Sequence, residues 1–169
     1  MAYQMIENSE LIRQFGRIAA VKSRIVVPNS KKTLVYHKTV LDTGSDTSVI
    51  SKSIANRLDM EIDKTNLPEL GSIDKYETVG TVYGLGITIY DNDNSQTIED
   101  DFIVINTDED LVLLGSPWLD RTKAIIHLNS RILQIPISQR KSIIVSISLH
   151  RRKTNATSLN IDNFELKKK

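Results

Sequence analysis

A carboxylate, a hydroxyl and a glycine stand in succession at Asp42-Thr43-Gly44, directly after the apolar pair Val40-Leu41 and before the polar run Ser45-Asp46-Thr47-Ser48. An Asp at the end of a strand can turn its oxygens into a cleft. Gly44 lets the backbone turn sharply and donate an N–H toward that carboxylate, and the Thr43 hydroxyl can lock the loop by hydrogen bonding. An ordinary β-turn draws on the same residue types. The tripeptide therefore carries chemistry only if a second element belongs with it.

That second element lies downstream. Leu111-Val112-Leu113-Leu114-Gly115 is an apolar run closed by glycine, and Ser116-Pro117-Trp118-Leu119-Asp120-Arg121 follows with Ser116 as a helix-type N-cap and Pro117 at the first helical position. With Val40-Leu41-Asp42-Thr43-Gly44-Ser45-Asp46 and Leu113-Leu114-Gly115 in this order, the chain resembles the retropepsin family, the proteases of retroviruses and LTR retrotransposons, from about Lys22 to Ser138. The Leu-Leu-Gly-Ser-Pro-Trp-Leu form looks most like the gypsy-type retrotransposon enzymes. The resemblance implies an all-β, closed-barrel acid protease monomer with a short helix after Leu-Leu-Gly, assembled as a symmetric homodimer. It implies Asp42, Thr43 and Gly44 as catalytic residues, and a substrate cleft drawn from Ser45, Asp46, Leu114, Gly115 and a flap hairpin holding Gly71, Ser72, Ile73 and Tyr76. The flap tip would fall within Leu70 to Tyr76, where the family's glycine-rich tip is thinner. Where retroviral enzymes often carry Arg after the second motif's glycine, this chain has Ser116, and its nearest arginine is Arg121.

Peptide hydrolysis without a metal or a covalent nucleophile needs one carboxylate to take a proton from water and a carboxylic acid to polarise the scissile carbonyl. Two carboxyls about 3 Å apart hold a single shared proton near neutral pH. This chain has one Asp-Thr-Gly. A homodimer must therefore bring Asp42 from each subunit to a twofold axis, and the pair then titrates as a unit. The expected substrate is an extended polypeptide bound as a strand, a Gag-Pol-type polyprotein by the family resemblance. The alternative is a catalytically silent dimerisation or peptide-binding module of the same fold.

Other polar residues are weighed against plainer roles. Asp46 either hydrogen-bonds substrate backbone, pairs with an arginine, or caps its own turn. Tyr76 either packs the flap on the body or lines the cleft. Asp91, Asp93, Glu99, Asp100, Asp101, Asp108, Glu109 and Asp110 lack EF-hand spacing and read as solvated loop residues. His37, His127 and His150 are scattered, with no Cys and no His-Glu-x-x-His, so no metal site and no cofactor is expected. Trp118 reads as a core anchor. Arg151-Arg152-Lys153 has no interleaved aromatics, so nucleic acid is not an expected partner.

The elements that must position these groups follow from patterning. Residues 1–21 read as an amphipathic helical or linker segment, from Ile6, Leu11, Ile12, Phe15, Ile18 and Ala19 near helical spacing. Residues 22–149 read as the protease-like domain, with strands at 24–27, 33–41, 80–90, 97–106, 124–128, 131–137 and 142–149 and short helices at 52–58 and 117–122. Residues 150–169 read as a basic flexible tail. Of the two terminal apolar runs, 132–137 is expected as the last core strand and 143–147 as the dimer strand, because either would otherwise expose an edge. With 169 residues and 40% hydrophobic content the chain suits one cored domain and is too short for two Asp-bearing lobes. No apolar run approaches the about 18 residues of a membrane span, and the first twenty residues lack a signal peptide's apolar core. The absence of Cys fits an intracellular, cytoplasmic setting without disulfides, and the net charge of +1 gives no global pull toward nucleic acid or acidic substrates.

Overall fold

The computed structural model describes residues 17–67 and 76–151. Strand β1 (Arg17–Val26) turns at Pro28–Ser30 into β2 (Thr33–Leu41), with the left-handed Asn29 in the turn. The first half of β2 alternates exposed and half-buried, and its last three residues are buried throughout. A short buried strand β3 (Ser48–Ser51) leads into helix α1 (Lys52–Arg57), capped by the Ser51 hydroxyl, which accepts the Ile54 N–H. The long strands β4 (Thr78–Tyr90) and β5 (Ser95–Ile105) form a hairpin, closed by an Asp91 side chain that accepts the N–H groups of Asp93 and Asn94. Strand β6 (Val112–Leu114) precedes α2 (Ser116–Thr122), and then come β7 (Ile125–His127), β8 (Ile132–Pro136), β9 (Ser142–Ser146) and β10 (Ser148–Arg151).

Seven strands pair in the order β10-β1-β2-β6-β3-β5-β4, and β7, β8 and β9 make a separate antiparallel sheet. One edge of β1 is divided between two neighbours: residues 17–20 pair with β10, and residues 24–26 pair with β4. Two pairings are parallel, β2 with β6 and β3 with β5. The architecture is mostly β, as the patterning implies.

Residues 17–20, expected to end a helix, are instead strand. Ile18, Ala19, Ala20 and Val21 are all buried, and a strand covered on both faces shows no period-two alternation to separate it from a helix. The run 142–149 is two strands, β9 and β10, separated at Ile147, whose N–H donates to the Arg131 carbonyl. Strand β9 has β8 on one edge, and beyond its other edge the Asp91 carboxylate accepts the Ile144 N–H. The expected N-cap also moves by one residue: Gly115 is the N-cap of α2, and the Ser116 N–H donates to the Ser45 carbonyl. Most of the residues expected in the flap, Gly71, Ser72 and Ile73 among them, lie outside the described residues, as does all of the basic tail beyond Arg151.

Close approach explains one of the β4 glycines. A Cβ on Gly80 would lie 2.3 Å from the Asp63 carbonyl oxygen, because residue 63 bridges to Thr81 with reciprocal N–H···O bonds. The same segment is tied at its side chains. A β-bulge between Val82 and Leu85 carries Tyr83, whose hydroxyl donates to Asp63 Oδ2 at 2.7 Å, while the Thr65 hydroxyl donates to Oδ1 at 2.6 Å. Thr65, and after it Tyr83, hold the Asp63 carboxyl down to about 2, below its usual 3.8.

Gly80→Ala is expected to cost about 1–3 kcal/mol of stability in urea unfolding, the scale of overpacking. For Asp63 the depressed carboxyl stabilises the fold above its unfolded pKa, and that contribution is lost as pH falls through the folded value. The stability gap between wild type and Tyr83→Phe should therefore narrow as pH falls from about 4 toward about 2. Thermal melts across that range check it.

Candidate active site

Asp42 follows the last residue of β2, and its position is set by backbone pairing. Leu41 lies in parallel register with Leu114 of β6, and the Asp42 N–H donates to the Leu114 carbonyl at 3.0 Å. The turn then closes on the side chain: the Gly44 N–H donates to Asp42 Oδ1 at 3.0 Å, and the Ser45 N–H donates to the Asp42 carbonyl at 3.3 Å. Asp42 and Thr43 are half-buried and Gly44 is exposed. The turn therefore presents one oriented carboxylate at a strand end.

The Leu114–Ser116 segment passes directly beside this loop. The Ser116 N–H donates to the Ser45 carbonyl at 2.8 Å, and the Gly115 N–H donates to Ser48 Oγ at 3.1 Å. A Cβ on Gly115 would sit 2.5 Å from the Thr47 carbonyl oxygen and 2.9 Å from that of Ser45. Only glycine permits that approach. The two motifs singled out in the sequence are thus one structure, joined backbone to backbone.

The other expected site residues divide by position. Ser45 is buried, and its hydroxyl donates to the Thr47 carbonyl at 2.7 Å. Leu114 is wholly buried, so within this chain its side chain packs the core while its carbonyl holds Asp42. Asp46 is exposed. Arg121, the arginine nearest the second motif in sequence, is ion-paired at 2.8 Å with Asp100. Tyr76 is half-buried and packs on a cluster of Ile18, Val40, Val49, Ile105, Leu111 and Leu113. Thr43 Oγ1 is buried and has no hydrogen-bond partner among the described residues.

Sequence reasoning missed Ser48 and Asp100, and it named Arg121 only as the arginine nearest the second motif, without its partner Asp100. Glu99, Asp100 and Asp101 lie in β5, within the strand expected over 97–106, and Asp100 is not a solvated loop residue: its side chain is only 18% exposed and accepts from Arg121 and Ser48. Both carboxylate oxygens of Asp110 likewise accept from Arg57 Nη2. The available signal was the strand expected over 97–106 itself, which runs through the acidic triplet into Phe102-Ile103-Val104-Ile105 and so puts one of the three on the inward face. Among the described residues no group of three or more His, Cys, Asp or Glu is placed to hold a metal ion, and no helix is long and apolar enough to cross a membrane.

No family model and no curated protein matches the sequence. Solved structures do match. The crystal structure of the retroviral protease-like domain of Ddi1 from Leishmania major is 18% identical, with a TM-score of 0.53 over 76% of this chain and 96% of that domain. The EIAV protease complexed with the inhibitor HBY-793 is 24% identical, with a TM-score of 0.36 over 60% of this chain and 86% of that one. The first of these shows the fold: this chain has the fold of a retroviral protease-like domain, with the Asp42 loop and the Leu114–Gly115 strand end paired as described.

Proposed function

We propose that this chain is an aspartic endopeptidase that acts as a symmetric homodimer, its pairing from β4 back to β1 closing a barrel and its substrate an extended polypeptide of the Gag-Pol polyprotein type. The observation that carries the reading is the oriented Asp42 carboxylate, held by the Gly44 N–H and pinned through its backbone to Leu114. A lone carboxylate cannot both take a proton from water and donate one to the scissile carbonyl. A second copy completes the pair, and the buried Thr43 hydroxyl beside it, without a partner among the described residues, supports an interface at this loop.

In this mechanism the two Asp42 side chains share one proton. The ionised member takes a proton from water as it attacks the carbonyl carbon, and the protonated member hydrogen-bonds the carbonyl oxygen and stabilises the tetrahedral intermediate. Collapse returns a proton to the leaving amine. Ser45 and Leu114 serve by holding the loop, while Asp46, Tyr76 and residues 71–73 are the proposed substrate contacts. The setting is intracellular, and nucleic acid and membrane have no part in the reaction.

Asp42→Asn should abolish peptide cleavage and leave thermal unfolding near wild type, since the amide fills the same space but cannot act as base. Cleavage by that variant at the wild-type rate contradicts the mechanism. Specific activity should fall on dilution below the dimer constant, and the pH–rate profile should be bell-shaped on the acid side of neutrality. A sedimenting dimer that cleaves nothing, with or without Asp42, identifies a silent peptide-binding module instead.

A further inference from the structure

Ser48 opens β3 almost fully buried, and its Oγ has two partners facing it. It accepts the Gly115 N–H at 3.1 Å and donates to Asp100 Oδ2 at 3.2 Å. A hydroxyl owns one proton, so a carboxylate that takes it leaves only lone pairs toward Gly115. Asp100 is itself fixed. Its Oδ1 accepts from Arg121 Nη2 of α2 at 2.8 Å and from the Asp101 N–H at 2.9 Å. The relay thus runs from α2 through β5 and β3 to the glycine whose neighbour, Leu114, holds the Asp42 backbone.

We infer that Asp100 is a positioning residue for Asp42: it sets the direction of the Ser48 hydroxyl and so seats the Gly115 loop against the Asp42 loop. The inference deepens the proteolytic reading and rests on it. Charge is not the operative property; polarity is. An amide at position 100 has one oxygen, which the donors Arg121 and Asp101 N–H both claim, and this turns its NH2 toward Ser48. Ser48 Oγ would then face donors from both sides. The new amide then competes with the Gly115 N–H for the Ser48 oxygen, and the bond that seats Gly115 weakens.

The test is a double-mutant cycle on the full chain with Asp100→Asn and Ser48→Ala, read as kcat and KM on a peptide substrate, with thermal unfolding confirming that each variant is folded. Each single substitution is expected to lower kcat roughly tenfold, the scale of one mis-set buried hydrogen bond, with KM within about twofold. The double variant should be no slower than either. An effect of Asp100→Asn that is equal with and without Ser48→Ala would show a lost ion pair acting independently of the hydroxyl, and would overturn the relay. Amide hydrogen exchange at Gly115 gives a readout free of activity, expected to speed up in Asp100→Asn; an unchanged rate overturns the inference. If wild type shows no Asp42-dependent cleavage, the proteolytic reading fails, and the Gly115 exchange rates alone decide whether Asp100 seats the loop.

Discussion

Two loops that belong to distant parts of the chain meet where Gly115 lies against Thr47, so close that a single added carbon would stand 2.5 Å from a carbonyl oxygen. At that range the backbones bond directly, Asp42 N–H to Leu114 carbonyl and Ser116 N–H to Ser45 carbonyl, and the Ser48 hydroxyl accepts the Gly115 N–H between them. Strand β6 is only Val112–Leu114, yet it is paired on both edges, parallel to β2 and antiparallel to β3. Its place is fixed almost wholly by contacts remote in sequence. The direction of the Asp42 carboxylate is a consequence of that strand's register.

Burial on both faces makes the register firm. Leu41, Ile50, Val112 and Leu114 point into the larger apolar cluster, while their chain neighbours Val40, Val49 and Leu113 point into the smaller one. A one-residue slip of β6 would exchange the two sets and leave Gly115 out of line with Thr47. Immediately after Gly115, α2 plants Trp118 and Leu119 in the larger cluster. The loop is thereby anchored from both sides by the hydrophobic effect, and hydrogen bonds decide only its fine position.

What the sequence revealed, and what it hid, follow from the range of the interactions involved. Asp42-Thr43-Gly44 was legible because its turn is local: Gly44 bonds a side chain two residues back. The link between Leu114 and Asp42 was legible only through family resemblance, since no local pattern announces a parallel pairing across so many residues. Strand β3 was missed because Ser48 and Ser51 bracket a mere Val49-Ile50, and serines in a short run read as turn until their hydroxyls are seen to bond Gly115 and Leu111. Asp100 was misread for a related reason. A charge within a strand looks solvated until its partner, here Arg121 on a helix, is located in space.

Thr43 sets the remaining physical demand on the loop. Its hydroxyl is shielded from water yet unpartnered among the described residues, and leaving such a group unsatisfied costs about 1–3 kcal/mol. The surrounding loop cannot relax to supply a partner, because the neighbouring N–H groups of Gly44 and Ser45 are committed to Asp42 and the segment across from it is locked at Gly115. Under the proposed function the same twofold axis that adds the second carboxylate brings a second copy of this loop, with its own backbone donors and acceptors, to each Thr43. Dimerisation then answers both requirements at one place: the chemistry lacks a carboxyl at Asp42 and Thr43 lacks a hydrogen-bond partner among the described residues, one residue apart.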